Sequence, residues 1–172
     1  MKSATKTKPV KKLLVLLDAH AIIHRAYHAL PDLRTKTGEP TGGLYGIASM
    51  LMKIITELKP DYLIACYDLP EPTFRKKIYE GYKAGRAKAD DDLVAQIERS
   101  QDIFRAFGIP ILAHVGFEAD DILGTIVEQC KSAKDISIII ASGDMDTLKL
   151  VDGEGVIVYT LINGLSYAIL YN

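Results

Sequence analysis

The sequence contains no tryptophan and only two cysteines in 172 residues. Cys66 and Cys130 lie far apart with no CxxC spacing, which excludes a disulfide scaffold and a cysteine-based zinc motif. Both sit in apolar surroundings, so two buried free thiols in a reducing cytoplasm are expected. The four histidines, His20, His24, His28 and His114, show no ligand spacing and are expected in core or surface roles. No apolar run approaches the roughly 20 residues that span a bilayer, so a membrane partner is not expected. The Lys-rich N-terminus lacks the apolar segment and cleavage site of a signal peptide. A dominant charge of one sign is missing as well: the net charge is −1. Nucleic-acid binding, if present, must come from a local patch. What is there is globular: 48% hydrophobic and 25% charged residues, with length for one domain and a proper core.

Residues 1–11 are polar and basic and read as a disordered tail ahead of a domain spanning 12–172. Lys12–Leu17 is a short apolar run that ends in Asp18 and suits a buried parallel strand. A helix over Ala19–Leu30 is stopped by Pro31. A second helix starts at Thr41-Gly42-Gly43 and runs to Pro60. Its residues Leu44, Ile47, Ala48, Leu51, Ile54, Ile55 and Leu58 repeat at helical spacing. Asp61–Tyr67 is another apolar run, followed by Asp68. A helix is predicted over Leu93–Phe107 with Leu93, Val94, Ile97, Phe104 and Phe107 inward, then a short strand Ile111–Ala113. Ile136–Ala141 is the strongest strand signal and runs into Ser142-Gly143-Asp144-Met145-Asp146. A short helix through Leu150 and strands at Val156–Thr160 and Ser166–Leu170 complete the reading.

Alternating strands and helices predict an α/β three-layer sandwich around a central, mainly parallel sheet. Ligands of such folds bind at the carboxyl ends of the strands. Asp18, Asp68, Asp144 and Asp146 each follow a predicted strand and would gather there. The stretch Gly116-Phe117-Glu118-Ala119-Asp120-Asp121 opens a helix whose Ala119, Ile122, Leu123, Ile126, Val127 and Cys130 share one face. Its start falls at the same edge and adds Glu118, Asp120 and Asp121. Of these three, Asp121 points furthest from the core face. Any one of these acids alone would be an ordinary cap or turn residue. Together they would repel unless hard divalent cations neutralise them, and oxygen-only ligands favour Mg²⁺ or Mn²⁺.

Two such ions, roughly 4 Å apart, suit phosphodiester hydrolysis. Residues 75–88 supply the matching cations, Arg75, Lys76, Lys77, Lys83, Arg86 and Lys88, against one acid, Glu80. Tyr79 and Tyr82 are interleaved, a mixture suited to single-stranded nucleic acid, although a solvated basic helix has the same composition. Arg25, Tyr27 and the helix start at Thr41 and Gly42 are further candidates for phosphate contact.

The residues then carry a resemblance. The matching segments include Val15–Asp18, Arg25-Ala26-Tyr27-His28-Ala29, Gly38-Glu39-Pro40-Thr41-Gly42, Tyr45-Gly46 and Tyr67-Asp68. They continue with Thr73-Phe74-Arg75, Tyr82-Lys83 with Arg86, Asp91-Asp92-Leu93, Glu118-Ala119-Asp120-Asp121 with Gly124-Thr125, and Ser142-Gly143-Asp144 with Asp146. In this order they resemble the N-terminal part of the 5′-to-3′ exonuclease domain of bacterial DNA polymerase I, within the flap endonuclease superfamily. The resemblance implies a PIN-like sheet, a two-metal acidic site and a helical arch around residues 73–92 that threads a 5′ end. It implies removal of 5′ flaps and 5′ nucleotides from DNA in replication and repair. Asp18, Asp68, Glu118, Asp120, Asp121, Asp144 and Asp146 match the metal-binding acids. Arg25, Lys83 and Arg86 match basic residues near the scissile phosphate. Tyr27, Thr41, Gly42, Arg75, Lys76, Lys77, Tyr82 and Lys88 would contact the nucleic acid.

Two local departures stand out: Ala19-His20 follows Asp18 where the family has Gly-Ser, and Ala87 follows Arg86 where a proline is usual. The family also continues into a helix–three-turn–helix region that binds duplex DNA and supplies further aspartates, whereas this sequence stops at Asn172. The partners implied are DNA with a 5′ flap or 5′ end and a polymerase domain or separate C-terminal nuclease part. The alternative expectation is a DNA-binding module with weak or no catalysis. A haloacid-dehalogenase-type phosphatase is disfavoured because His20 stands where a second aspartate is needed. A phosphoacceptor receiver is disfavoured because the first strand is not followed by paired acids.

Overall fold

A computed structural model describes residues 11–85, 88–153, 155–162 and 167–171. Residues 1–10 of the expected tail, Arg86 and the predicted start of the last strand at Ser166 lie outside them. The elements in chain order are β1 (Lys12–Asp18), α1 (Ala19–Ala29), α2 (Gly42–Leu58), β2 (Tyr62–Cys66), α3 (Phe74–Ile78) and α4 (Asp91–Ala106). They continue with β3 (Ile111–Leu112), α5 (Ala119–Cys130), β4 (Ile136–Ala141), a 3₁₀ turn (Met145–Leu150), β5 (Val156–Ile162) and β6 (Tyr167–Tyr171).

The six strands form one sheet in the order β3-β2-β1-β4-β5-β6, parallel except for the antiparallel β5–β6 pair. β1 is central because it is apolar on both faces. Val15 and Leu17 join a core with α1, α2 and α4, while Leu14 and Leu16 join a second core with α5. The α/β sandwich read from the sequence is therefore present. Chain order reverses at β1, since β2 and β3 lie on one side and β4 and β5 on the other. The register aligns Asp18 with Cys66 and Leu17 with Ala141. The carboxyl ends of β1, β2 and β4 thus stand level at the switch point where α/β sheets bind ligands.

Two helices depart from expectation. Val94 on α4, and Phe107 which caps its C-terminus, are exposed rather than inward. The buried stripe is Leu93, Gln96, Ser100 and Phe104, at helical spacing. Gln96 and Ser100 can occupy it because both are satisfied. Gln96 Oε1 accepts from Gly43 N–H at 2.8 Å, and the Ser100 and Tyr67 hydroxyls lie 2.6 Å apart. Among the described residues of the arch region, helix is confined to Phe74–Ile78 and the start of α4 at Asp91, and after α3 the chain turns through Gly81–Gly85. Among the two cysteines, both free, Cys66 is buried and Cys130 only partly so.

Candidate metal centre and nucleic-acid interface

Asp18 ends β1 and caps α1. Its Oδ1 accepts Ala21 N–H at 3.1 Å, and its Oδ2 accepts the Ser142 hydroxyl at 2.7 Å. It is only 4% exposed, and burial pushes its carboxyl up to about 6, with Asp120 and Asp68 adding to the shift against those two hydrogen bonds. Asp68 leaves β2 and reaches α5, where Oδ1 accepts Ala119 N–H at 2.6 Å. Its own N–H donates to His20 Nδ1 at 3.2 Å. His20 thus positions the second aspartate, a role that its place beside Asp18 did not reveal.

The first turn of α5 carries the acidic trio. Asp120 is partly buried, and its carboxyl is pushed up by burial and then by Asp144, Asp68 and Glu118. Glu118 accepts Lys83 Nζ at 2.8 Å and the Tyr82 hydroxyl at 3.2 Å. Asp121 turns to Arg75, which grips it with two hydrogen bonds of 2.7 Å. That grip holds the Asp121 carboxyl below its ordinary value, whereas its trio neighbour Asp120 is raised.

Asp144 follows β4 on a turn built by Ser142, whose Oγ accepts Asp144 N–H at 2.9 Å while donating to Asp18. Asp144 Oδ1 in turn accepts Asp146 N–H at 2.9 Å. Gly143 is required here, because a Cβ would stand 2.8 Å from Ala21 O. Arg25 braces the same turn through Nη2 to Gly143 O at 2.8 Å.

The structure therefore draws Asp18, Asp68, Glu118 and Asp144 into electrostatic range of Asp120, and Asp18 and Asp68 into range of each other. Asp146 is exposed beside Asp144, and Asp121 faces the basic segment. Among the described residues no group of three or more His, Cys, Asp or Glu is arranged to hold a metal ion. Asp18, Asp68, Glu118, Asp121 and Asp144 are each engaged locally by an N–H, a hydroxyl or a cation. The donor chemistry nevertheless fits a hard divalent ion: every acid drawn together is a carboxylate, and two are held at raised proton affinity by burial and by each other.

Other candidates fall elsewhere. Lys76 and Lys77 are exposed on α3, and Lys88 pairs with Asp91 at 2.9 Å on the surface. The Thr41 hydroxyl donates to Leu33 O, and Gln96 covers the start of α2 at Gly43. The Tyr27 hydroxyl donates to Asp90 at 2.6 Å, which pushes its pKa up to about 12. It lines a cleft of about 330 Å³ with Arg34, Asp90, Asp92 and Gln96, apart from the converging carboxylates.

Residues 13–169 match the family described as 5′-3′ exonuclease, N-terminal resolvase-like domain. The chain belongs to this exonuclease family. A DNA polymerase I of Caldicellulosiruptor bescii is 40% identical over 144 residues, covering 84% of this chain and 17% of that protein. A 5′-3′ exonuclease of Aquifex aeolicus is 40% identical over 152 residues, covering 88% of this chain and 52% of that protein. This chain thus spans about half or less of the length of these curated relatives. Among solved structures, the T5 D15 protein co-crystallised with metal ions superimposes with a TM-score of 0.65 at 19% identity, covering 87% of this chain and 55% of that one. The T5 D15 flap endonuclease in a pseudo-enzyme-product complex with DNA and metal ions gives 0.61 at 19% identity, covering 87% of this chain and 55% of that one. These likenesses show that the exonuclease-family chain has the same fold. Among the described residues no helix is long and apolar enough to cross a membrane.

Proposed function

We propose that this chain is the metal-dependent core of a 5′-3′ exonuclease and 5′-flap endonuclease that hydrolyses DNA phosphodiesters. The observation that carries the reading is the gathering of Asp18, Asp68, Glu118, Asp120 and Asp144 at one sheet edge, with Lys83 and Tyr82 laid against them. Asp18, Asp68, Glu118, Asp120, Asp144 and Asp146 would hold two Mg²⁺ or Mn²⁺ ions. Bound there, the ions supply Lewis acidity that activates water and stabilises the leaving oxygen. Lys83, exchanged from Glu118 to phosphate, neutralises charge on the phosphate oxygens, and Arg86 joins it. Lys76 and Lys77 follow the strand backbone, and Tyr82 offers a face to an unstacked base. Ser142, His20 and Arg25 hold the aspartate-bearing turns in place. A polymerase domain or a separate C-terminal nuclease part is the expected partner.

A labelled 5′-flap substrate with Mn²⁺ tests this. Metal-dependent cleavage is expected, and Asp144→Ala lowers its rate by about 100-fold or more, as loss of a group stabilising the transition state does. Cleavage insensitive to Asp144→Ala refutes the site. A second reading, DNA binding without turnover, is favoured by the Lys83–Glu118 pair, which occupies both partners. Flap binding with no cleavage at high Mn²⁺ would select it.

A further inference from the structure

The acidic trio of α5 does not share one environment. Asp121 Oδ1 and Oδ2 both take Arg75, through Nη2 and Nη1, at 2.7 Å each. Oδ2 also accepts Glu118 N–H at 2.9 Å and so closes the first turn of α5. A carboxylate gripped by an arginine fork has its strongest partner already. Arg75 is fixed from its other side too. Its guanidinium lies 4.7 Å from the Phe74 ring centre, Phe74 N–H donates to Gly116 O at 2.8 Å, and the Phe74 and Phe117 rings pack 5.5 Å apart. The start of α3 is therefore tied to the start of α5 by a backbone bond, a ring pair and an ion pair.

Lys83 meets Glu118 differently, through one 2.8 Å contact on a flexible stem. Its backbone has φ 56°, a left-handed conformation that lysine seldom adopts. From this contrast we infer that Asp121 is not a metal ligand but a positioning residue. It clamps the base of the basic segment to α5 through Arg75, so that Lys83 can leave Glu118 without the segment losing its place. The metal half of this inference rests on the function proposed above, whereas the clamp half stands on the contacts alone.

Two variants separate the roles. Asp121→Asn keeps an oxygen acceptor for Glu118 N–H but removes the charge that Arg75 grips. Arg75→Lys keeps a cation but loses the fork. Mn²⁺ alone is titrated calorimetrically into wild type, Asp121→Asn and Asp120→Asn. Each protein is also digested with a limiting amount of trypsin, following cleavage after Lys76, Lys77 and Lys83. Asp121→Asn is expected to bind Mn²⁺ within about threefold of wild type, and Asp120→Asn at least about tenfold more weakly, as loss of a charged ligand requires. Tryptic cleavage in the segment rises about tenfold in Asp121→Asn and less in Arg75→Lys, since a retained cation restores part of the pair. Asp121→Asn losing Mn²⁺ as completely as Asp120→Asn makes Asp121 a ligand and overturns the inference. Unchanged cleavage in Asp121→Asn overturns the clamp. A wild type that binds no Mn²⁺ defeats the metal reading instead, and the cleavage pattern still judges the clamp.

Discussion

Burial gives the Asp18 carboxyl a higher proton affinity in the folded chain than in the unfolded one, at about 6 against 3.8. A raised carboxyl contributes stability below its unfolded pKa and loses it as pH climbs through the folded value. At neutral pH the metal-free protein is thus short of about 3 kcal/mol at most, taking about 1.4 kcal/mol per unit. Asp121 has the opposite sign: held low by Arg75, it stabilises above the ordinary carboxylate range and loses that contribution as pH falls. Asp18→Asn, which keeps an acceptor for Ala21 N–H, should therefore be more stable than wild type without divalent ions. We expect about 1–3 kcal/mol at pH 7, shrinking toward zero near pH 4, in urea unfolding at a series of pH values. Equal stability of the two proteins at pH 7 would contradict the burial argument. Mn²⁺ should narrow the difference by stabilising wild type more than Asp18→Asn, since a ligand bound more tightly by the folded state adds more to its stability. The acids were legible one by one, because each follows a strand or opens a helix. Their partners were not: Ser142, His20 and Arg75 reach Asp18, Asp68 and Asp121 only after the sheet has brought separate turns together.

Helix α2 approaches α1 most closely at Gly46. A Cβ on Gly46 would lie 2.4 Å from Ala26 Cβ and 3.3 Å from Leu30 Cδ1. Alanine would add about 1 kcal/mol of helix propensity. Overpacking costs about 1–3 kcal/mol, and here the obstructing atom is a fixed methyl rather than a flexible tip. Sterics win. Gly46→Ala should lower stability by about 1–2 kcal/mol, seen as a lower urea midpoint with an unchanged slope. An unchanged midpoint would mean that the helices can separate freely. The existence of α2 was plain from its i, i+3, i+4 repeat. The orientation of α4 was not, because apolar periodicity alone passes over Gln96 and Ser100. Both are buried for the hydrogen bonds they make to other elements, and they displace Val94 to the surface. The strand near the C-terminus was expected, and its antiparallel pairing with β5 depends on a partner choice that the pattern does not encode.

Across the whole molecule a net charge of −1 conceals a sharp separation, with carboxylates at the sheet edge and exposed Lys76 and Lys77 on α3 beside it. If those lysines track a strand, the double variant Lys76→Ala/Lys77→Ala should weaken single-stranded DNA binding evenly across sequences. Its dependence of log Kd on log salt should be shallower by about 1.4, or 0.7 for each phosphate released. Fluorescence anisotropy between 50 and 200 mM salt, roughly the physiological span, measures this, and an unaltered slope would remove the lysines from the interface. The sheet order has a consequence in time as well. β1 lies between β2, whose ladder begins at Tyr62, and β4, whose ladder begins at Ile136. During synthesis the central strand β1 is made before its partners and waits on one side for a neighbour more than a hundred residues behind it. Such distant pairing is slow to form and leaves an open strand edge meanwhile. The acidic cleft is thus among the last features that the growing chain can assemble, because Asp144 follows β4 while Asp18 ends β1.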